Sequence, residues 1–268
     1  MRKLVTTIGA ALLLVSAFAA PASAITNGVP DGDNHPYVGL IVFDTADGPA
    51  WRCSGSLLTP TIVLTAGHCT DGAVAARIWM DEIVQTNPEY PFSGATSYDG
   101  VPHTNPDFAI QGGNGLPGFA FRDVGVVVLS EPVPAGVVSE YASLPTVGLV
   151  GELRNKSPLD YVGYGVQTQI TGGGPPAWTG LRNRMYAPGA LVSGKFVHSG
   201  EFIRGSLNPG GGTGGTCFGD SGGPVLQGGT DTVLGVNSYV TNSNCGGVGY
   251  ASRVDLAPVL SWINSFLD

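Results

Sequence analysis

The chain has 268 residues, 42 of them Gly and 20 Pro, with only 12% charged residues and a formal charge of −8. If the first 24 residues leave as a leader, 244 remain, and ten basic residues then face 20 acidic ones. That length suits one large domain or two small ones, and a surface carrying about −10 argues against nucleic acid or anionic membrane as a partner.

Arg2 and Lys3 precede an apolar run from Leu4 to Ala20, and Ala22-Ser23-Ala24 supplies a small-x-small cleavage pattern. Residues 1–24 therefore read as a signal peptide rather than a membrane anchor, which predicts a secreted, extracellular protein. No later run is continuously apolar over such a length, so no membrane contact is expected after cleavage. Four cysteines, Cys53, Cys69, Cys217 and Cys245, then read as two disulfides with three possible connectivities.

Short β-rich runs follow: Val38 to Phe43, Gly55 to Leu58, and Thr61 to Thr65. From Asp81 to Phe121 the chain is rich in Pro, Gly and Asn and reads as strands interrupted by long surface loops. Val124 to Leu129 is continuously apolar, which implies burial on both faces. A Pro-, Gly- and Ser-rich stretch between Pro134 and Pro158 divides the chain into residues 25–145 and 146–268. Further strands are expected at Leu159–Tyr164, Pro224–Leu226, Val233–Tyr239 and Gly249–Ala251, with flexible glycine segments at Gly172–Pro176 and Gly210–Gly215. Only the C-terminus has helical periodicity, in Leu256, Val259, Leu260, Ile263, Phe266 and Leu267, with Asp255 as a candidate cap and Pro258 in the first turn. The fold class is all-β, built as barrels or sandwiches.

Three segments carry chemistry. Gly219-Asp220-Ser221-Gly222-Gly223-Pro224 places a serine among glycines, whose missing Cβ lets the backbone turn tightly and approach a substrate. A serine hydroxyl needs a base, and His68 in Thr65-Ala66-Gly67-His68-Cys69 follows an apolar strand and adjoins a cysteine that can pin it. His35, His103 and His198 have no such setting. A carboxylate must orient the imidazole, and Asp123 at the head of the apolar strand is preferred over Asp107, whose following run is broken by Gly112 and Gly113. Asp81, Glu82 and Glu89 could suggest calcium, but acidic loop residues are usually only solvated, so no metal is assigned.

The order His68, Asp123, Ser221 and the motifs around them resemble the chymotrypsin/trypsin family of serine peptidases. Thr65–Cys69 is similar to its T-A-A-H-C, Asp123–Val127 to its D-I-A-L-L, Gly163-Tyr164-Gly165 to its G-W-G, and Trp262-Ile263 to its closing helix, while the serine motif matches completely. The resemblance implies two six-stranded antiparallel β-barrels (a chymotrypsin-like fold) with a C-terminal α-helix. The site would lie between them, with His68, Asp123 and Ser221 as catalytic triad and Gly219 and Ser221 N–H groups as oxyanion hole. It implies disulfides Cys53–Cys69 and Cys217–Cys245, and pairing of a new Ile25 α-amino group with Asp220. It also implies a pocket shaped by Gly215, Ser238 and Val240. Gly215 supplies no charge for Arg or Lys, and branched Val240 narrows the wall, so a small or medium apolar side chain before the scissile bond is expected. The implied activity is cofactor-free endopeptidase cleavage of protein or peptide substrates by a monomer. A non-catalytic binding protein on the same scaffold would be expected to lack a triad member, and an esterase of the α/β-hydrolase kind would show the order Ser, Asp, His with alternating helices; neither pattern is present.

Overall fold

The computed structural model describes residues 25–113, 116–170, 177–192, 200–208 and 213–267. The leader expected at 1–24, His198, Gly172–Pro176 and Gly210–Gly212 lie outside the described residues. The first part of the chain forms β1 (Val29–Pro30), β2 (Val38–Thr45), β3 (Gly48–Leu57), β4 (Ile62–Thr65), α1 (Gly67–Thr70), β5 (Ala75–Trp79), β6 (Ser97–Thr104), β7 (Ala109–Gly113), β8 (Leu116–Phe121) and β9 (Gly125–Leu129). The second part forms α2 (Leu149–Glu152), β10 (Pro158–Gly163), β11 (Thr168–Ile170), β12 (Ala177–Thr179), β13 (Met185–Ala190), β14 (Phe202–Ser206), β15 (Pro224–Gln227), β16 (Val233–Val240), β17 (Val248–Arg253) and α3 (Ala257–Asn264).

Six strands close a barrel in the order β2-β3-β4-β9-β6-β5. β2, β4 and β9 are buried almost throughout because their β-branched and aliphatic side chains line the barrel and face the neighbouring sheet. The Asp81–Phe121 stretch holds β6, β7 and β8, and of these β6 joins the barrel although its sequence Ser-Tyr-Asp-Gly-Val-Pro-His-Thr has little strand propensity. Tertiary packing overrides that: a Cβ on Gly100 would stand 2.7 Å from the Val128 carbonyl oxygen, so only glycine allows β6 so close to β9.

The second sheet runs β1-β13-β10-β15-β16-β17-β14, all antiparallel. It is a half-barrel in which the residue after β13 meets the edge strand β14 at a single bridge, Leu191 opposite Gly205, with Val192 N–H donating to Arg204 O over 2.8 Å. The expected fold class holds, although this second barrel closes by one bridge rather than by a full ladder. No helix among the described residues is long and apolar enough to cross a membrane.

The two halves join through buried polar groups as well as apolar packing. Arg184, 1% exposed, pairs its Nε with Asp31 at 3.0 Å and donates through Nη1 to the carbonyls of Val38 and Met80 in the first half. The Tyr164 hydroxyl donates to Asp81 O over 2.7 Å. α3 contributes Val259 and Ile263 to the same apolar cluster as Leu64, Val124 and Leu226. Pro258 sits in its first turn as expected, but Asp255 does not cap it. The Asp255 carboxylate instead accepts from Val150 N–H at 2.8 Å and from Arg253 Nη2 at 2.7 Å, so it ties α2 to the end of β17.

Candidate active site

His68 lies on the one-turn helix α1, which starts where β4 leaves the barrel. The turn brings both its backbone and its ring to one carboxylate. His68 N–H donates to Asp123 Oδ1 over 2.7 Å, and Nδ1 lies 2.8 Å from Asp123 Oδ2. Asp123 is fully buried just before β9, whereas the His68 side chain is 30% exposed. The Ser238 hydroxyl, at 2.5 Å, donates to the same Oδ2. A buried carboxylate with three donors stays satisfied without water, and the imidazole's other nitrogen, Nε2, lies 3.6 Å from Cys69 Sγ. The alternative carboxylate, Asp107, is exposed and takes part only in a local turn with Asn105. His35 pairs with Asp31 at 2.6 Å and stacks on Tyr186, and His103 packs against Phe266, so both have structural duties.

Ser221 comes from the opposite half, on the turn before β15. Its carbonyl accepts from Ser54 N–H over 2.8 Å, and Ser54 lies on β3 next to Cys53. The disulfide Cys53–Cys69, with Cα atoms 6.4 Å apart, joins that strand to the residue after His68. Gly222 presses directly on the same place: its Cβ would stand 2.6 Å from Ser54 O and 2.8 Å from Ala66 N. The serine turn therefore docks against the segments that bear His68 rather than lying across the molecule. Cys53, His68 and Cys69 gather three atoms within 4.8 Å, but both sulfurs are committed to the disulfide and cannot act as thiolate ligands.

The loop 217–221 is held on several sides. Asp220 is fully buried, with Oδ1 accepting from Gly165 N–H at 2.8 Å and Oδ2 from Cys217 N–H at 2.9 Å. A Cβ on Gly163 or Gly165 would stand 2.4 Å from those oxygens, which is why this stretch reads Gly-Tyr-Gly. Burial pushes the Asp220 carboxyl up from 3.8 to about 7, against the pull of the two backbone donors and of Arg52. Gly219 adopts φ +95°, a left-handed conformation open to glycine, and its carbonyl accepts from the Ser54 hydroxyl over 3.1 Å. Cys217–Cys245 fastens this loop to the segment after β16.

Beside Ser221 lies a pocket of about 180 Å³ lined by Thr216, Cys217, Phe218, Ser221 and Asn237 to Val240. Ser238 and Val240 stand in its wall. Gly215 does not: it pairs with Thr26, and Leu207 fills the space where its Cβ would point. Thr216 lines the pocket in its place. Ile25 is fully buried in the second apolar cluster, with Leu159, Met185 and Ala187. Ser238 has a second duty that sequence reasoning missed, since its link to Asp123 spans 115 positions and leaves no local pattern.

The family model described as Trypsin matches residues 26–263. Serine protease 1 of Drosophila melanogaster is 27% identical over 89% of this chain and 84% of its own length. Chymotrypsin-like elastase family member 3A of Homo sapiens is 26% identical, covering 87% of each. Among solved structures, HL collagenase superposes with a TM-score of 0.65 at 20% identity, over 91% of this chain and 96% of that one. Human heparin binding protein does so with a TM-score of 0.62 at 16% identity, over the same shares. The fold is thus shared by proteins described as enzymes and by one described as a binding protein, so it does not by itself decide chemistry. With a family match across almost the whole chain and with elastases among its relatives, this chain belongs to the trypsin family and is a serine endopeptidase acting on proteins or peptides.

Proposed function

We propose that Ser221, His68 and Asp123 are the nucleophile, general base and orienting carboxylate of this endopeptidase. The observation that carries the assignment is the fully buried Asp123, which receives the His68 backbone N–H, the His68 ring at 2.8 Å and the Ser238 hydroxyl, while Ser238 and Ser221 line one pocket. His68 Nε2 takes the proton as Ser221 Oγ bonds to the scissile carbonyl carbon, and the N–H groups of Gly219 and Ser221 stabilise the oxyanion. Protonated His68 then gives that proton to the departing amine as the C–N bond breaks. Water, deprotonated by His68, attacks the ester carbon and frees the acid product and Ser221. No cofactor enters this sequence. A fluorophosphonate probe tests it: it should label the wild type and not Ser221→Ala, and equal labelling of both would overturn the assignment.

Specificity follows from the pocket wall. Neither Gly215 nor any lining residue brings a carboxylate to pair with Arg or Lys, and the branched Val240 stands in the wall, which supports a small or medium apolar residue before the scissile bond. A chromogenic peptide library decides it, and a strong preference for Arg or Lys would refute it.

The leader pattern and two disulfides support export to an oxidising compartment. Cleavage after Ala24 would convert the Ile25 peptide nitrogen into an ammonium. Asp220 is then the partner to which that charge is assigned, since a buried carboxylate without a counter-charge is costly. N-terminal sequencing of the exported protein checks it, and a mature start elsewhere than Ile25 would remove the basis for this pairing.

A further inference from the structure

We infer that Arg52 reads an acidic residue on the leaving-group side of the scissile bond. This rests on the assignment of Ser221 as nucleophile. Arg52 lies on β3, two residues before Ser54, whose N–H holds the Ser221 carbonyl. Its guanidinium runs beside the loop that carries Ser221. Nε is 3.6 Å from where a Cβ on Gly219 would stand, and Nη2 is 3.3 Å from where one on Gly180 would stand.

Among the described residues Arg52 lacks a carboxylate partner, a state it shares with Arg204, whose guanidinium instead lies over the Tyr250 ring. Arg77, Arg122, Arg184 and Arg253 each pair with a carboxylate. Arg52 Nε is buried without a hydrogen-bond partner, and among the described residues no carboxylate lies within ion-pair distance of its guanidinium. Asp220 feels the charge, but its two oxygens are occupied by the N–H groups of Gly165 and Cys217. A partly buried guanidinium without a carboxylate is unfavourable, and a substrate that brings a carboxylate to its Nη groups relieves it in a charge-assisted pair.

The side of the substrate follows from what flanks Ser221. The pocket with Ser238 and Val240 belongs to the second half, and Arg52 is not in its wall. Arg52 lies on the first half, at the margin of a separate groove of about 200 Å³ walled by Pro49, Trp51, Tyr90 and Pro91. A peptide whose acyl-side residue fills the pocket sends its leaving segment away from it, over Gly219 and Arg52 toward that groove. Arg182 stands over the Tyr90 ring at the same groove, and an acidic leaving segment is complementary to these cations.

Three substrates with one acyl sequence test this: a quenched peptide with Glu at the first two leaving-side positions, the same peptide with Gln there, and a p-nitroanilide with no leaving-side residue. For the wild type the Glu peptide should exceed the Gln peptide about tenfold in kcat/KM, each normalised to the p-nitroanilide, with the ratio shrinking as salt is added. R52Q should bring the ratio close to one, and R52K should retain part of it. An unchanged ratio in R52Q, or no preference in the wild type, overturns the inference. An equal loss on all three substrates also overturns it, because Arg52 would then only support the loop. Cleavage of the p-nitroanilide by Ser221→Ala at the wild-type rate would instead refute the Ser221 assignment.

Discussion

The Ser238 hydroxyl donates to Asp123 across 2.5 Å, and with that bond the second half of the molecule completes the coordination of a carboxylate supplied by the first. Asp123 holds His68 through two further bonds, so the imidazole's orientation depends on groups from both halves. Docking of the two sheets is therefore part of the proposed catalytic geometry.

Substitution at this junction should act on turnover more than on folding. Asp123→Asn puts a carboxamide where two donors converge and favours the wrong imidazole tautomer, so kcat should fall by about 10⁴-fold. Ser238→Ala removes one of three donors and leaves the other two, so kcat should fall by about tenfold, the scale of one hydrogen bond to a charged group. Steady-state kinetics on a single peptide distinguish the two, and a larger loss in Ser238→Ala than in Asp123→Asn would contradict this geometry.

Asp220 should make a chain still extended ahead of Ile25 sensitive to pH. Its folded value, about 7, lies above the ordinary 3.8, so between those limits the native state binds more protons than the unfolded state. The contribution of Asp220 to stability is thus most favourable at low pH and is lost as pH rises toward 7. The Tm of the extended wild type, taken relative to Asp220→Asn, should decline from pH 4 to pH 7. Release of Ile25 should abolish that decline, because an ammonium beside the carboxylate lowers its pKa. Parallel Tm profiles for wild type and variant would exclude this coupling.

Gly222→Ala should be among the most damaging single changes outside the proposed triad. The residue has φ +76°, and an added Cβ would meet the Thr65 hydroxyl and stand 2.6 Å from Ser54 O. The Ser54 oxygen is backbone, and the Thr65 hydroxyl is already bonded to it at 2.8 Å, so neither yields cheaply. A stability loss of about 2–4 kcal/mol is expected, with activity lost because the Ser221 turn must withdraw from α1. Denaturant unfolding provides the measurement.

Val240→Gly should widen the pocket. Removing a branched side chain from its wall should raise kcat/KM for Phe or Tyr relative to Ala by about tenfold, within the range of a few methylenes in an apolar pocket. A peptide series varied only at the residue before the scissile bond reads this ratio, and an unchanged order of preference would place the specificity determinant elsewhere.

The segments whose own residues carry strong signals were legible from the chain. Gly125–Leu129 is a strand within the short, valine-rich apolar run that starts at Val124, and Pro258 marks a first helical turn for want of an N–H. The Gly-rich serine turn and the His68 turn likewise announce local backbone geometry. β6 and β13 were not legible. Ser97–Thr104 and Met185–Ala190 contain proline and glycine that local propensity assigns to loops, and they become strands only because neighbouring ladders and close-packed backbones accept them. Asp255 shows the same limit: next to a helix it reads as a cap, yet its partners are Val150, 105 positions away, and Arg253. Local sequence thus determined the turns, the apolar strands and the identity of the chemical groups. Only the tertiary structure decided which distant donor meets which buried carboxylate, as with Ser238 and Asp123. The reason is that hydrogen-bond partnership depends on ångström-scale placement of separate strands, for which a one-dimensional pattern has no signature.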